Sequence, residues 1–270
     1  GQGYHYVNAI VVTPAQYLET SLSSISENAI IGDIITKDIT INYANMKDEV
    51  MLSNTHDDVQ LSTTGLGNDC GAFGTTTIQV TIKPTQIGTI TDEILIADTV
   101  SGKQVRIPVN VAVNRNTQTI SWEQDLVNIN TTDNITLTAS AKTAIHYLSS
   151  DSTIAYAEGN VLKINKHGQF TLTAVAIESE KYEQATASKN ITINAVQPTV
   201  SVWPTVEPIA YAQALTTDML KGGEAEVEGY FDWNTELNQT HVPGPHDLPV
   251  RFMPTNTDYY APVDGAVAVT

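Results

Sequence analysis

The chain has 270 residues, with 13 basic and 30 acidic side chains and a formal net charge of −17. This excess of acid argues against a nucleic-acid partner, because phosphate binding needs clustered Lys and Arg, and against binding to an anionic membrane surface. No run of about 18 apolar residues occurs, so we expect no transmembrane segment in this chain. At roughly 100–200 residues per domain, the length indicates two or three domains.

Short runs of alternating apolar and polar residues recur along the chain, and they predict strands with one wet and one buried face. In chain order the clearest runs are residues 38–43, 77–82, 104–107, 134–138, 170–175 and 190–193. Thirty-six threonines favour strands further, since β-branched side chains suit a pleated sheet. The best helix candidate is residues 21–28, which lack length and caps. We therefore predict an all-β protein built from β-sandwiches.

Two short polar joints, residues 114–118 and 194–198, interrupt the strand pattern. A similar sequence restarts after each joint and leads to Trp122 and to Trp203, which are 81 positions apart. We predict three tandem domains with these boundaries: 1–115, 116–195 and 196–270. Because the joints are short and not rich in Gly or Ser, they predict an elongated array, which small-angle scattering in solution would test.

The second predicted domain resembles a bacterial immunoglobulin-like (Ig-like) repeat, a resemblance that implies tandem Ig-like β-sandwiches. The matching residues are 118–126, 136–139, 148–155, 160–164, 168–174 and 181–185. The third resembles the MBG-type bacterial Ig-like repeat through residues 198–200, 203–204, 209–215, 222–223, 229–233, 250–255 and 258–260. The first is more loosely similar to sandwich repeats found ahead of such domains, through residues 74–80, 84–88 and 94–96. These motifs specify turns and core positions, and therefore fold rather than chemistry.

The resemblance implies export, because such repeats occur mostly in secreted or surface-anchored bacterial proteins as spacers, stalks and adhesive modules. The expected location is therefore extracellular or the bacterial cell surface. Residues 1–3 look more like a cleaved or engineered end than a native initiator, so an export signal is either removed or absent here, and its absence is no evidence for a cytoplasmic location. Cys70 is the single cysteine, so the Cys–Trp–Cys core of antibody domains is absent, and we interpret its thiol as buried or idle.

No recognised catalytic or cofactor motif occurs, so we expect neither an enzyme nor a bound cofactor. One glycine-rich stretch lacks the spacing and the following helix of a phosphate-binding loop: Gly65, Gly67, Gly71 and Gly74. Two groups could in principle hold a metal ion: His56 with Asp57 and Asp58, and His241 with His246 and Asp247. The first lacks the spaced acidic ladder of a calcium loop and the second lacks a third zinc ligand, so we expect no metal.

The third predicted domain is enriched in aromatic residues, which sugar-binding sandwiches present as flat platforms. Alternation along residues 230–233 puts Phe231 and Trp233 on one face and Tyr230 on the other. Trp203 and Trp233 are most simply core residues of a small sandwich. Of the adjacent Tyr259 and Tyr260, we expect one to pack and the other to be exposed. The weak candidates for ligand binding are therefore Tyr230, Trp233, Tyr259 and Tyr260.

Two hypotheses for the function remain open. The first is a non-catalytic structural, adhesive or spacer module of an exported bacterial surface protein, with an unidentified protein or glycan as its partner at the cell surface. The alternative is a carbohydrate-binding accessory module, alone or as part of a larger secreted hydrolase. Residues 98–100 and 151–153 resemble O-glycosylation sites of exported proteins in some anaerobic bacteria, and an ordinary turn explains the same residues.

Overall fold

A computed structural model describes residues 15–46, 49–67, 73–210, 212–237 and 244–270. Regular structure in these ranges consists of β-strands and one single-turn 3-10 helix, Thr217–Met219. None of the described elements is a helix long and apolar enough to cross a membrane. Contacts group the chain into two compact units, residues 1–117 with 179–183 and residues 118–178 with 184–270.

The described residues of the first unit form two four-stranded sheets, with strand orders β1-β3-β6-β5 and β2-β8-β7-β4. Neighbouring strands are antiparallel except β2, which runs parallel to β8. The strands are β1 Tyr17–Thr20, β2 Ile25–Ile30, β3 Ile35–Ala44, β4 Val50–Ser53, β5 Val59–Leu61, β6 Gly74–Ile82, β7 Gly88–Asp98 and β8 Gln104–Asn114.

The best helix candidate, residues 21–28, is not helical, because the second half of this segment belongs to β2. Ile25 and Ala29 are buried, whereas Ser26 and Asn28 are exposed. Positions i and i+4 share one face in a helix and also in a strand, so the local pattern is ambiguous. Pairing with β8 along six residues decides the conformation in favour of the strand.

A core of buried aliphatic side chains lies between the two sheets of the first unit. Every second residue of a strand points into it, as Ile39 and Ile41 of β3 do, and both are fully buried. The outer faces carry polar side chains that bond across strands, for example Thr75 Oγ1, which donates to Asn42 Oδ1 at 2.8 Å. Each fully buried aliphatic side chain contributes about 1.5–3 kcal/mol, so this core is the main source of stability in the unit.

The second unit begins with a sandwich of two sheets, ordered β10-β13-β12 and β11-β14-β15-β9, in which β9 runs parallel to β15. Its strands are β9 Ile129–Asn130, β10 Ile135–Thr136, β11 Ile145–Ser149, β12 Ala155–Glu158, β13 Val161–Ile164, β14 Gly168–Ala176 and β15 Ala185–Asn194. Trp122 lies 7% exposed at one side of the core, 5.7 Å from the ring of Tyr147 between centroids. The core is completed by aliphatic side chains such as Leu172 and Ile191.

The second unit ends with a smaller arrangement of two sheets, ordered β16-β17 and β18-β19-β20. Its strands are β16 Val200–Val202, β17 Glu224–Ala225, β18 Gly229–Trp233, β19 His246–Pro254 and β20 Val263–Val269. The rings of Trp203, Phe231 and Phe252 follow one another with centroids 5.8 and 5.1 Å apart. A Cβ at Gly265 would lie 2.4 Å from the Trp203 ring, so only glycine allows this close packing on β20.

Two features identify tandem Ig-like β-sandwiches. The sheets pack face to face, and an early strand runs parallel to the last strand, as β2 does to β8 and β9 does to β15. The predicted all-β fold class of tandem Ig-like domains is therefore confirmed. Three separate clusters of buried side chains each lie within one predicted domain. The boundaries at residues 116 and 196 stay a prediction, since the contacts define two units rather than three.

Candidate functional site

The four aromatic candidates do not share one surface. Tyr230 is 57% exposed on β18, whereas Trp233 is 7% exposed and its Nε1 donates to the carbonyl of Thr216 at 2.9 Å. The two residues are three positions apart on one strand and therefore point to opposite faces. Tyr259 and Tyr260 lie in the turn before β20, with ring centroids 6.4 Å apart and both side chains half-buried. Tyr230 is the candidate with the most exposed ring.

Tyr259 belongs to a joint inside the second unit. Its hydroxyl donates to the carbonyl of Ile164, at the end of β13, with a distance of 2.7 Å. Its own carbonyl accepts a hydrogen bond from Thr131 Oγ1 at 2.6 Å and another from the backbone N–H of Val196 at 3.0 Å. A single residue thus connects the turn after β9, the end of β13 and residue 196.

Neighbouring residues complete this joint. The backbone N–H of His167 donates to the carbonyl of Asp258 at 2.9 Å, and the ring Nδ1 of His167 lies 3.2 Å from the same oxygen. The N–H of Ala261 donates to the carbonyl of Val196 at 2.9 Å. The turn at residues 258–261 is therefore fixed to the preceding sandwich by several hydrogen bonds. We refer to Thr131, Ile164, His167, Val196 and residues 258–261 as the Tyr259 joint.

The same bonding pattern occurs earlier in the chain, within the first unit. The N–H of Asn116 donates to the carbonyl of Lys181 at 2.8 Å, and the N–H of Glu183 donates to the carbonyl of Asn116 at 2.9 Å. Asn116 pairs parallel with Tyr182, as Val196 does with Tyr260. Lys181 therefore occupies the position of Tyr259, and no phenol is available there for a bond like that to Ile164.

Two turns, at residues 30–33 and 130–133, also contain the same hydrogen bonds. Ile30 N–H donates to Asp33 Oδ2 at 2.9 Å, and Asn130 N–H donates to Asp133 Oδ2 at 2.8 Å. The next residue in each case donates to the end of the last strand, Ile31 to Asn114 and Thr131 to Asn194. The sequence signal for the joints was the polar turn carrying tyrosine, which recurs at residues 179–182 and 256–260. That signal predicted a repeat, but it did not predict the contacts that Tyr259 makes.

The first metal candidate, His56 with Asp57 and Asp58, lies in a loop whose acids bind protein donors. Asp58 accepts hydrogen bonds from the N–H and the hydroxyl of Thr85 at 3.1 and 2.9 Å. The nearby Asp92 is 7% exposed and accepts bonds from the N–H and hydroxyl of Thr55 at 3.1 and 2.8 Å and from the N–H of His56 at 3.2 Å. Both carboxylates therefore fasten loops to the sandwich.

The pKa of Asp92 reflects two opposing causes. Burial raises the pKa, while hydrogen bonds from Thr55, Glu93 and His56 stabilise the carboxylate and lower it, and the net shift is downward. Within the described ranges no three His, Cys, Asp or Glu side chains cluster as a metal site would require. His241, Cys70 and Gly71 lie outside the described residues, so the second metal candidate, the thiol and the glycine-rich stretch keep the status of predictions.

The two glycosylation-like motifs lie in turns with exposed hydroxyl residues. Asp151 accepts bonds from the N–H and hydroxyl of Thr153 at 2.9 and 2.6 Å, and these bonds lower its pKa. Asp98 is buried and accepts bonds from the N–H groups of Val100 and Ser101 at 3.0 and 3.2 Å. Side-chain to backbone bonds two and three residues ahead are what an ordinary Asx turn makes, so the turn interpretation accounts for both aspartates.

An open cavity of about 630 Å³ lies beside β18 in the last part of the chain. Its lining includes the carboxylate side chains of Glu224 and Glu228 and the rings of Phe231 and Phe252. Phe252 is 2% exposed, so this ring belongs to the core. Tyr230 does not line the cavity, because its side chain points to the face of β18 opposite to that of Phe231.

No protein-family model matches the chain, and no curated protein matches its sequence. Solved structures with a similar arrangement include the titin domains Z1Z2 in complex with telethonin, at 13% identity and a TM-score of 0.43, covering 67% of this chain and 97% of that chain. A variant of titin domains I67–I69 covers 96% of this chain and 99% of its own, at 9% identity and a TM-score of 0.35. Drosophila N-cadherin EC1-3 covers 92% and 98%, at 13% identity and a TM-score of 0.34. Because the identities and TM-scores are so low, these similarities do not indicate a function.

Proposed function

We propose that this chain is a non-catalytic structural, adhesive or spacer module of an exported bacterial surface protein. The observation that supports the proposal is the repeated joint, in which Asn116 and Val196 each make the same two backbone hydrogen bonds with a turn further along the chain. Backbone hydrogen bonds hold the connecting residue itself in place, unlike the residues of a flexible Gly/Ser linker. Repeating that connection is what a module that spaces other parts requires.

The surface chemistry of the sandwiches agrees with this role. Outward hydroxyl and amide groups bond to each other across strands, as Thr171 Oγ1 does to Asn190 Oδ1 at 2.8 Å and Thr173 Oγ1 to Ser188 Oγ at 2.8 Å. In such pairs each side chain satisfies the hydrogen-bonding groups of the other, so few of these groups are left to take part in a reaction. The net charge of −17 keeps copies of the chain apart in solution.

The location is tested with antibodies raised against the purified chain. We expect the antibodies to label intact cells of the producing bacterium, and we expect mild protease treatment of intact cells to remove the labelled protein. A cytoplasmic marker protein should resist the same protease. Recovery of the chain only in the cytoplasmic fraction would overturn the proposal of an exported surface module.

A second candidate function is carbohydrate binding, and the exposed ring of Tyr230 on β18 favours it. A glycan array with the purified chain, Tyr230→Ala and Tyr156→Ala tests this candidate. Tyr156 is a matched control, because it is a 41% exposed tyrosine on β12, in the sandwich that contains β9 to β15. Glycan binding that Tyr230→Ala abolishes and Tyr156→Ala preserves would favour the accessory module. A catalytic domain elsewhere in the same gene would connect that module to a larger secreted hydrolase.

A further inference from the structure

The cavity beside β18, which we call the β18 cavity, has a counterpart in the preceding sandwich. The counterpart measures about 480 Å³ and lies beside β11. Its lining residues 139–141, 143, 145 and 147 correspond, 84 positions later, to residues 223–225, 227, 229 and 231 of the β18 cavity. The last residue of each set has a ring that packs on a tryptophan, Tyr147 on Trp122 and Phe231 on Trp203. The two cavities can therefore be compared position by position.

The comparison shows that the β18 cavity has lost an internal hydrogen bond. Beside β11, the N–H of Ala139 donates to the hydroxyl of Tyr147 at 3.2 Å, and this bond joins the segment before β11 to the strand itself. Gly223 is the counterpart of Ala139, and Phe231 is the counterpart of Tyr147. Because Phe231 has no hydroxyl, the N–H of Gly223 lacks this acceptor. The β18 cavity is also the larger of the two, at about 630 Å³.

The β18 cavity is acidic, whereas its counterpart is neutral. Glu224 and Glu228 line it, and the residues 84 positions earlier are Ser140 and Ala144. Among the described residues, none forms a hydrogen bond or an ion pair with either carboxylate. Residues 196–270 contain ten acidic side chains and two basic ones, so the surrounding field also favours a cation. The cavity therefore complements a positively charged ligand.

The cavity lies along the outer edge of β18, the outermost described strand in the order β18-β19-β20. The N–H of Thr255 donates to the carbonyl of Glu228, and the N–H of Asn234 donates to that of Pro249, both at 2.9 Å. Because backbone direction alternates along a strand, the N–H and C=O groups of Gly229 and Phe231 face away from β19. Both residues line the cavity, so a ligand there meets backbone donors and acceptors as well as carboxylates.

We infer that the β18 cavity binds an extended segment of a partner protein, with Lys or Arg at alternate positions, as an added strand beside β18. The backbone of such a segment pairs with Gly229 and Phe231. Side chains at every second position then face the cavity, where the Glu224 and Glu228 carboxylates and the Phe231 ring attract a cation. The net charge of −17 disfavours a second copy of this chain as the occupant. The inference names the partner chemistry of an adhesive module, so its biological meaning rests on the proposed function.

The charge requirement is tested with a fluorescein-labelled ten-residue peptide of alternating Lys and Thr. Fluorescence anisotropy gives its Kd for the purified chain and for two double variants. Glu224→Gln with Glu228→Gln removes the carboxylates of the cavity. Glu207→Gln with Asp247→Asn is the matched control, because it removes two exposed carboxylates of residues 196–270 that do not line the cavity. We expect the cavity variant to bind about threefold to tenfold more weakly, and the control to bind within about twofold of the wild type.

A second peptide separates strand addition from attraction by charge alone. It has the same side chains, but every backbone amide is N-methylated, so it keeps its charge and cannot donate hydrogen bonds to β18. We expect this peptide to bind the wild-type chain at least about tenfold more weakly, because the pairing of the two backbones is lost. Equal affinity for the two peptides would mean that only charge attracts them, and it would overturn the inference.

Amide hydrogen exchange locates the bound peptide on the chain. We expect the amides of Gly229 and Phe231 to exchange more slowly once the Lys/Thr peptide is bound, because they donate to its backbone. Ile145 and Tyr147 are the control within the same molecule, since they hold the corresponding positions beside the neutral cavity. Their exchange should not change. Protection of Ile145 and Tyr147 to the same extent as Gly229 and Phe231 would contradict a site selected by the two carboxylates.

Three other results would also overturn the inference. The first is no binding of the Lys/Thr peptide, and the second is equal weakening in the two double variants. The third is dimerisation of the chain that protects Gly229 and Phe231 without peptide, which would make a second copy the occupant. Peptide binding is measured on the purified chain, so a cytoplasmic location would refute the proposed function without changing the Kd. Failure to bind the peptide would in turn leave the surface location intact.

Discussion

The first unit and residues 196–270 obtain a buried core in different ways. In the described residues, the first unit buries a cluster of nineteen apolar side chains between long strands, whereas the cluster after residue 196 contains six. Residues 196–270 are also held by aromatic rings that pack onto glycines and by the hydrogen bonds of the Tyr259 joint. The comparison shows that a small sandwich depends on a few large side chains and on its neighbour, because burial stabilises in proportion to area.

Phe252→Ala is expected to have the largest effect on this comparison. Phe252 is 2% exposed and its ring lies against that of Phe231, so truncation should cost about 3–5 kcal/mol of unfolding free energy. All three tryptophans belong to the second unit, so their fluorescence follows that unit during urea unfolding, while far-UV circular dichroism follows the whole chain.

Ile94→Ala is the control for Phe252→Ala in the larger core. Ile94 is fully buried in β7, and its truncation should cost about 2–5 kcal/mol. We expect it to shift the circular dichroism transition and to leave the tryptophan transition in place. If Phe252→Ala also moved the part of the circular dichroism transition that Ile94→Ala shifts, the two cores would not be independent and the comparison would be wrong.

Asp92→Asn should cost about 1.5–3 kcal/mol in the first unit, because an amide NH₂ would face the donors of Thr55 and His56. The folded-state pKa of Asp92 lies below its ordinary value, so its contribution is complete above about pH 4 and is lost as the pH falls through the folded pKa. Urea unfolding followed by circular dichroism between acid and neutral pH measures this loss.

The control for the pH series is Asp264→Asn. The Asp264 carboxylate is exposed and pairs with Arg251 at 2.5 Å between Oδ1 and Nε, so water screens the pair and its removal should lower the unfolding free energy much less than Asp92→Asn. We expect the Asp92→Asn variant to show a smaller acid-induced loss than the wild type. If the wild type and Asp92→Asn lost the same unfolding free energy on acidification, Asp92 would not be the group responsible for that loss.

Gly265→Ala should destabilise residues 196–270 by about 1–3 kcal/mol, because the new Cβ would collide with the ring of Trp203. Ala268→Ser is a control on the same strand with an exposed side chain, and it should change stability by less than about 0.5 kcal/mol. Tryptophan fluorescence reports the displaced indole directly. An unchanged spectrum and midpoint in Gly265→Ala would contradict the role of close ring packing.

Tyr259→Phe removes the hydroxyl bond to Ile164 and should cost about 0.5–1.5 kcal/mol. Because that bond connects two parts of the second unit, we expect faster amide hydrogen exchange both near residue 164 and in β20. Tyr156→Phe, on an exposed ring, should change neither. Faster exchange confined to the turn around Tyr259 would mean that the joint does not couple the two parts.

The smallest expected effect is that of metal removal. The described joints are fixed by hydrogen bonds between protein groups, so EDTA should leave the thermal midpoints of both units unchanged. Differential scanning calorimetry with and without EDTA measures this directly. A fall of more than about 5 °C would reveal a structural metal ion.

Much of the fold could be predicted from the sequence, because alternation is a local property of each strand. Residues 77–82 and 170–175 were predicted as strands and lie within β6 and β14. The conformation of residues 21–28 could not be decided locally, because Ile25 and Ala29 fit either a helix or a strand face. The role of Tyr259 could not be predicted, since its partners Ile164 and Thr131 lie 95 and 128 positions away in the sequence.

The sequence by itself determined the all-β class, the strand positions and the recurrence of the sandwich, since these follow from local periodicity and turn residues. Only the tertiary structure decided which strands are neighbours, how long the parallel pairings are, and which tyrosine fastens a joint. Strand pairing over 60 or more positions depends on how two whole sheets pack, and no local pattern contains that information. The six residues of β2 opposite β8 and the two residues of β9 opposite β15 are therefore properties of the folded chain.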